Sequence, residues 1–280
     1  LIAGLHKNDR VLILGAGGWF GQTTINLLPP ATSILAIASS QRGNLQTWND
    51  SQIQDFAPTI VLNFAFLTRE RVAIEGESKF RAINEELTRH FVHAASLPQV
   101  RAALTISSGA AVTEPHLPYG EMKLKEEEQA LALISSTRSI VIGRVYSVSG
   151  PYVRRPRDYA FSDFILQAQS GSVDITANRP VYRRYVSIED YLTVCLMQLL
   201  SGWSGVIDSG GELVEIGDLA RRIVQLVNPT AKIQREKQST SDIFLYASDD
   251  TTWVDACSML DFTAERLENQ ICQTASWLLG

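Results

Sequence analysis

Residues 10–21 read Arg-Val-Leu-Ile-Leu-Gly-Ala-Gly-Gly-Trp-Phe-Gly, an apolar strand running directly into glycines spaced three apart, Gly15, Gly18 and Gly21. Backbone that must turn sharply and pass close to a pyrophosphate has no room for side chains, so glycine is needed at those points. A helix predicted over Gln22–Leu28 follows at once and aims its free N–H groups and positive dipole end at the phosphate. A glycine triplet alone could be an ordinary strand-to-helix turn. Set between a Val-Leu-Ile-Leu strand and a helix, it has the context that dinucleotide binding requires. Gly15, Gly17, Gly18, Trp19, Phe20 and Gly21 are therefore the first candidate cofactor residues.

Strands and helices alternate beyond this point, the pattern of a doubly wound parallel sheet in the α/β class. Strands are expected at Ser33–Ala38, Thr59–Phe64, Ala102–Ile106 and Ser139–Val145, with helices near Lys79–Ala95 and Glu121–Ile134. The strands are apolar throughout, as helices on both sheet faces demand. From Gly150 the texture changes to a charged, turn-rich segment with Pro151, Arg154, Arg155, Pro156 and Arg157. Helices at Phe161–Gln169 and Thr263–Leu278 follow, separated by short strands. The expected division is a dinucleotide-binding domain over 1–150 and a smaller substrate-binding lobe over 151–280. Segments around 181–207 are expected to return to the first domain.

Composition narrows the function classes. In 280 residues with 45% hydrophobic content, a net charge of −5 implies no basic surface for nucleic acid. No apolar run approaches the length that crosses a bilayer, and the first residues do not resemble a signal peptide. Cys195, Cys257 and Cys272 show no C-x-x-C spacing and read as reduced thiols of a cytoplasmic protein, not as metal ligands or disulfides. His90 and His93 lie three apart but lack an evident acidic or cysteine partner, so no metal site is expected. Glu126, Glu127 and Glu128 read as a solvated helix face, and the arginines 154, 155 and 157 as either surface charge or a diphosphate contact.

Tyr119-Gly-Glu-Met-Lys123 places a phenol and an ammonium four apart at a helix start, hence on one face. A lysine beside a tyrosine favours the phenolate, moving a pKa of about 10 toward the working range of a general base. Just upstream, a strand ends in Ser107-Ser108-Gly109, where open α/β sheets bind their ligands.

With these residues in place, the chain resembles an extended short-chain dehydrogenase/reductase of the nucleotide-sugar epimerase/dehydratase branch, over nearly its whole length. The resemblance rests on Gly15 to Gly21, on Asn63-Phe64-Ala65-Phe66 where the family carries Asn-x-Ala-Ala, and on Asn84 opening a helix. Ser107-Ser108, Tyr119/Lys123, the Gly143–Pro151 segment and Arg184-Tyr-Val-Ser-Ile-Glu-Asp190 follow in the family's order, and Trp277 echoes a terminal aromatic helix. It implies Tyr119 as acid/base, Lys123 as its partner and ligand of the nicotinamide ribose, and Ser108 or Ser107 as the hydroxyl that positions the reacting oxygen. It further implies cofactor contacts from Phe64, Ala65, Phe66 and Asn84, and substrate contacts from Ser147 and Arg184. The implied substrate is a nucleotide sugar and the implied activity an oxidoreductase or epimerase, with a homodimer as a compatible assembly.

The departures from the family pattern also carry information. Ser108 and Tyr119 are 11 apart where about two dozen residues are usual in the family, and depending on the gap Gly109 takes the reactive position. No Asp-Glu pair follows the serines, which argues against a 4,6-dehydratase. The family's Arg-x-x-Asn is here Arg144-Val-Tyr-Ser147. Cofactor choice turns on the end of the second strand, which reads Ile37-Ala-Ser39-Ser40-Gln-Arg42 and lacks an acid to hold a ribose 2′-hydroxyl. Hydroxyls and a guanidinium suit a 2′-phosphate, so Ser39, Ser40 and Arg42 favour NADP over NAD. If Arg42 is a solvated loop residue, NAD binds as well. A binding-only dinucleotide protein of the same fold is the rival reading, since fold does not fix function.

Overall fold

The computed structural model describes residues 4–38, 49–237 and 239–280, and the chain divides into two compact units. The first comprises Leu1–Val145 with Leu192–Ile207, and the second Tyr146–Tyr191 with Asp208–Gly280.

In the first unit, elements follow in the order β1 (Arg10–Leu14), α1 (Trp19–Leu27), β2 (Ser33–Ile37), α2 (Asp50–Phe56), β3 (Ile60–Asn63), α3 (Arg71–Glu75) and α4 (Glu77–Ala95). Next come β4 (Ala102–Ser108), α5 (Ala110–Thr113), α6 (Pro118–Leu131) and β5 (Ser139–Val145). The chain later contributes most of α8 (Ile188–Leu200) and of β9 (Gly205–Asp208). Among the described residues these strands form a six-stranded sheet in the order β2-β1-β3-β4-β5-β9, with β1 to β5 paired in parallel. The strand order reverses direction at β1, and the β1–α1 loop lies at that switch point, where such sheets take their ligands.

The predicted Rossmann-type α/β class is what the chain adopts. Val11, Leu12, Ile13 and Leu14, like all of β3, are buried, which is why these strands are apolar in succession and do not alternate. One cluster under the sheet joins Leu12, Leu14 and Val61 with Phe91, Ala94, Ile140 and Ile142. Helix α6 starts at Pro118, earlier than the predicted Glu121, because proline fits the first helical turn without losing a hydrogen bond. That brings Tyr119 inside the helix.

The second unit contains β6 (Val148–Ser149), a short 3-10 helix (Pro156–Asp158), α7 (Ala160–Gln169), β7 (Ser172–Ile175) and β8 (Val181–Ser187). After β9 come β10 (Glu212–Glu215), α9 (Ile216–Val227), β11 (Lys232–Arg235), β12 (Phe244–Tyr246), α10 (Thr251–Met259) and α11 (Leu267–Leu279). Strand β8 pairs antiparallel with β10 and parallel with β12 and β6, and β11 pairs with β7. Its core gathers Phe161, Phe164, Ile165, Tyr185, Leu219, Ile223, Leu267 and Ile271 from α7, β8, α9 and α11. No helix among the described residues is long and apolar enough to cross a membrane.

Candidate active site

The glycine loop is built by close approach. Gly15 has φ +78°, and a Cβ there would lie 2.6 Å from the Phe64 carbonyl carbon. A Cβ on Gly21 would sit 2.5 Å from Gly15 O, so this glycine lets α1 pack against the end of β1. Gly18 differs: among the described residues beyond its chain neighbours, a Cβ there meets Gly15 O alone, at 3.3 Å. It caps α1 without any side chain competing for the first N–H groups. Phe64 N donates to Leu14 O at 2.8 Å, and the Phe20 and Phe64 rings stack at 6.3 Å, with Trp19 beside Phe20.

A second element of the site lies where β4 ends and α6 begins. The connection between Ser108 and Tyr119 is short because α5 folds back immediately and Gly120 lets α6 pack on it. A Cβ on Gly120 would lie 2.2 Å from Glu114 O and 2.4 Å from Ala110 O. The Tyr119 ring meets the Phe66 ring edge-on at 6.0 Å, with the Arg69 guanidinium 5.9 Å over its centroid. Arg69 is in turn paired with Glu114.

Lys123 is 4% exposed. Its Nζ donates to Ile106 O at 2.7 Å and to Glu126 Oε2 at 2.8 Å, and it lies 3.5 Å from the centroid of the Phe66 ring. Burial pushes the ammonium below the ordinary lysine range, while the charges of Glu126 and Glu127 and the Glu126 hydrogen bond act against that. Glu126, 0% exposed, also accepts from Asn63 Nδ2 at 2.7 Å and Thr105 Oγ1 at 2.9 Å.

Glu127 is likewise buried and accepts from Ser107 Oγ at 2.5 Å and from Arg144 Nε and Nη2 at 3.1 and 2.6 Å. The solvated face expected of the acidic run is therefore corrected: of its three carboxylates only Glu128 is exposed. The signal that could have found the other two lies in β4 and β5. Thr105 and Ser107 are polar positions on one face of a buried strand, and Arg144 stands beside them on β5. Buried donors of that kind require acceptors.

The two serines separate. Ser107 is engaged by Glu127, whereas Ser108, on the opposite strand face, accepts from Ala110 N at 3.2 Å. Asn63 and Asn84 hold the 63–67 segment: Ala65 N donates to Asn63 Oδ1 at 3.2 Å and Leu67 N to Asn84 Oδ1 at 2.8 Å. Ser39, Ser40 and Arg42 lie outside the described residues. In the second unit, Arg184 donates through Nη1 to Gly211 O and Asp250 Oδ2 and through Nε to Ser248 O. Its neighbour Arg183 lies over the Tyr246 ring and reaches Ser147 Oγ at 3.5 Å. Arg154, Arg155 and Arg157 are exposed, the latter two facing Asp158 and Asp163. No cluster of metal-ligating side chains occurs among the described residues.

A family model, described as the NAD dependent epimerase/dehydratase family, matches residues 11–208, well over half of the chain. The chain belongs to that family. Among solved structures, MoeE5 in complex with UDP-glucose and NAD is similar at 22% identity and TM-score 0.72, covering 96% of this chain and 98% of that one. UDP-glucose 4-epimerase from Brucella ovis in complex with NAD matches at 18% identity and TM-score 0.75, covering 96% and 97%. MlghC, the GDP-mannoheptose C4 reductase from Campylobacter jejuni with NADP bound, matches at 15% identity and TM-score 0.78, covering 99% and 100%. At such identities these likenesses establish the shared fold. No curated protein matches the chain in sequence.

As a member of the NAD dependent epimerase/dehydratase family, the chain belongs to a family of enzymes that work with a nicotinamide dinucleotide. Two features of the first unit fit such a ligand. Among the described residues no side chain caps the α1 N-terminus, and Gly18 adds none of its own where an anion would meet the free N–H groups. Asn84 is fully buried and its Nδ2 has no hydrogen-bond partner among the described residues, a donor for which a bound polar group would compensate.

Proposed function

We propose that this member of the family is an NADP(H)-linked oxidoreductase or epimerase acting on a nucleotide-linked sugar, a 4-ketoreductase and an epimerase drawing on the same residues. The observation that carries the reading is the placement of Tyr119 and Lys123 in the first turns of α6, beside the C-terminal end of β4. When bound, the nicotinamide supplies or takes up hydride at the sugar carbon. Tyr119 exchanges the proton of the reacting oxygen. Ser108 hydrogen-bonds that oxygen, while Ser107 is committed to Glu127. Lys123 stands one helical turn after Tyr119 and holds positive charge on the same helix face. The glycine loop with Trp19 and Phe20, the Phe64–Ala65–Phe66 segment and Asn84 hold the dinucleotide. Ser39, Ser40 and Arg42 are assigned the 2′-phosphate. On the second unit, Ser147 and Arg184 are assigned to the substrate.

Gly109-Ala110 follows the serines where a 4,6-dehydratase needs its acid–base pair of carboxyl groups, so water elimination is not part of the reading. A binding-only role is the second reading. It is favoured by Phe66, whose ring face lies against Lys123 where the resembling family has a small alanine.

The test is incubation of the purified protein with a panel of nucleotide sugars and their 4-keto derivatives, following both reduced-cofactor absorbance and product. Net oxidation of NADPH marks a reductase, and a new sugar without net redox change marks an epimerase. Dinucleotide binding without any product on the panel would favour the binding-only reading.

A further inference from the structure

Two ionisable side chains sit side by side in the interior of the first unit, and the family reading above uses only one of them. Lys123 and Glu126 are 4% and 0% exposed, and their ion pair is 2.8 Å long. Removing both charges from water costs several kcal/mol per ion, and a pair of apolar residues of similar volume would often be as stable. Stability alone therefore does not account for a carboxylate at this place.

The carboxylate is also more firmly fixed than an ion pair requires. Oε1 accepts from Asn63 Nδ2 at the end of β3 and from Thr105 Oγ1 on β4, and Asn63 Nδ2 also donates to Thr105 Oγ1 at 3.0 Å. Oε2 is left for Lys123. Two strands thus aim one carboxylate at one ammonium. Among the described residues the ammonium also meets the Ile106 carbonyl, the Phe66 ring and the charge of Glu127, and Tyr119 stands one turn earlier on α6. Glu127 is itself bound to Arg144 from β5 and to Ser107, so Glu126 is the carboxylate in direct contact with Lys123.

We propose that Glu126 is a positioning residue of this site: held by Asn63 and Thr105, it keeps Lys123 an ammonium and fixes its direction. The functional weight of that role rests on the Tyr119–Lys123 reading, but the charge of Lys123 can be measured without turnover. Burial works against the ammonium, and Glu126 is the nearest group that opposes burial.

The experiment uses protein carrying 13C-labelled lysine, with the Lys123 Cε resonance assigned through Lys123→Arg, in wild type and Glu126→Gln. The wild type should show an ammonium throughout the neutral range. In Glu126→Gln the same resonance should titrate to the neutral amine within that range. A neutral amine in the wild type at pH 7, or identical titrations in a folded variant, would overturn the proposal, and the wild-type result stands even if the variant fails to fold. In parallel, NADPH affinity is titrated by fluorescence. Glu126→Gln should bind about tenfold more weakly at neutral pH, a charged hydrogen bond being lost, and recover as the pH falls and Lys123 regains its proton. A Lys123 titration that moves as expected while NADPH affinity stays level supports the role of Glu126 and overturns the assignment of Lys123 to the cofactor.

Discussion

Gly18 and Gly21 share a motif but do different work. The protein's own backbone forbids a side chain at Gly21, whereas a Cβ on Gly18 would stand 3.3 Å from the Gly15 carbonyl oxygen. Gly21→Val should therefore lower stability, overpacking costing about 1–3 kcal/mol, seen as a fall in the denaturant midpoint. Gly18→Val should fold and lose dinucleotide binding in a fluorescence titration; a folded variant that binds as tightly as wild type would remove the pyrophosphate from this loop. The same distinction applies to the hydroxyls. Tyr119→Phe should lower turnover by about 10²- to 10⁴-fold with little change in dinucleotide affinity. Ser108→Ala should cost less in turnover than Tyr119→Phe. Ser107→Ala should act mainly on stability, because Ser107 Oγ donates to buried Glu127.

At the scale of elements, α6 is both the arm that carries Tyr119 and Lys123 and a polar seam against β4 and β5. Glu127 ties Ser107 and Arg144 together across that seam while almost fully buried. Removing one partner of a buried pair leaves an unmatched charge, so Glu127→Ala should destabilise the protein by about 3–5 kcal/mol, measured by denaturant unfolding. A loss within ~0.5 kcal/mol would show that the seam is solvated after all. This seam also marks where sequence reading succeeded and where it failed. The apolar β1, β3 and β4 and the glycine loop are legible because buried strands and close backbone approaches leave a compositional trace. The inward direction of Glu126 and Glu127 is not, because a run of acids on a helix has no periodicity of its own. Its partners Thr105, Ser107 and Arg144 come from strands far away in the chain. Likewise Tyr119 and Lys123 are visible as a spacing, but the contact each makes with the Phe66 ring is a tertiary fact.

For the molecule as a whole, family membership and the parallel sheet give an enzyme built around a nicotinamide dinucleotide. On the proposed reading the choice between the two dinucleotides turns on Ser39, Ser40 and Arg42, which carry no acid to repel a 2′-phosphate. NADPH should accordingly bind more tightly than NADH in parallel titrations, and Arg42→Ala should narrow the gap; tighter NADH binding by the wild type would refute the 2′-phosphate assignment. The central claim is that Tyr119 and Lys123 lie at the reacting end of that dinucleotide. It is tested most directly by a crystal structure of the protein soaked with NADPH. The nicotinamide C4 should lie within reach of the Tyr119 hydroxyl, with the ribose hydroxyls on Lys123 and the pyrophosphate over Gly18. A nicotinamide ring far from Tyr119, with the Phe66 ring still covering Lys123, would contradict the claim and leave a protein that binds the dinucleotide without using it.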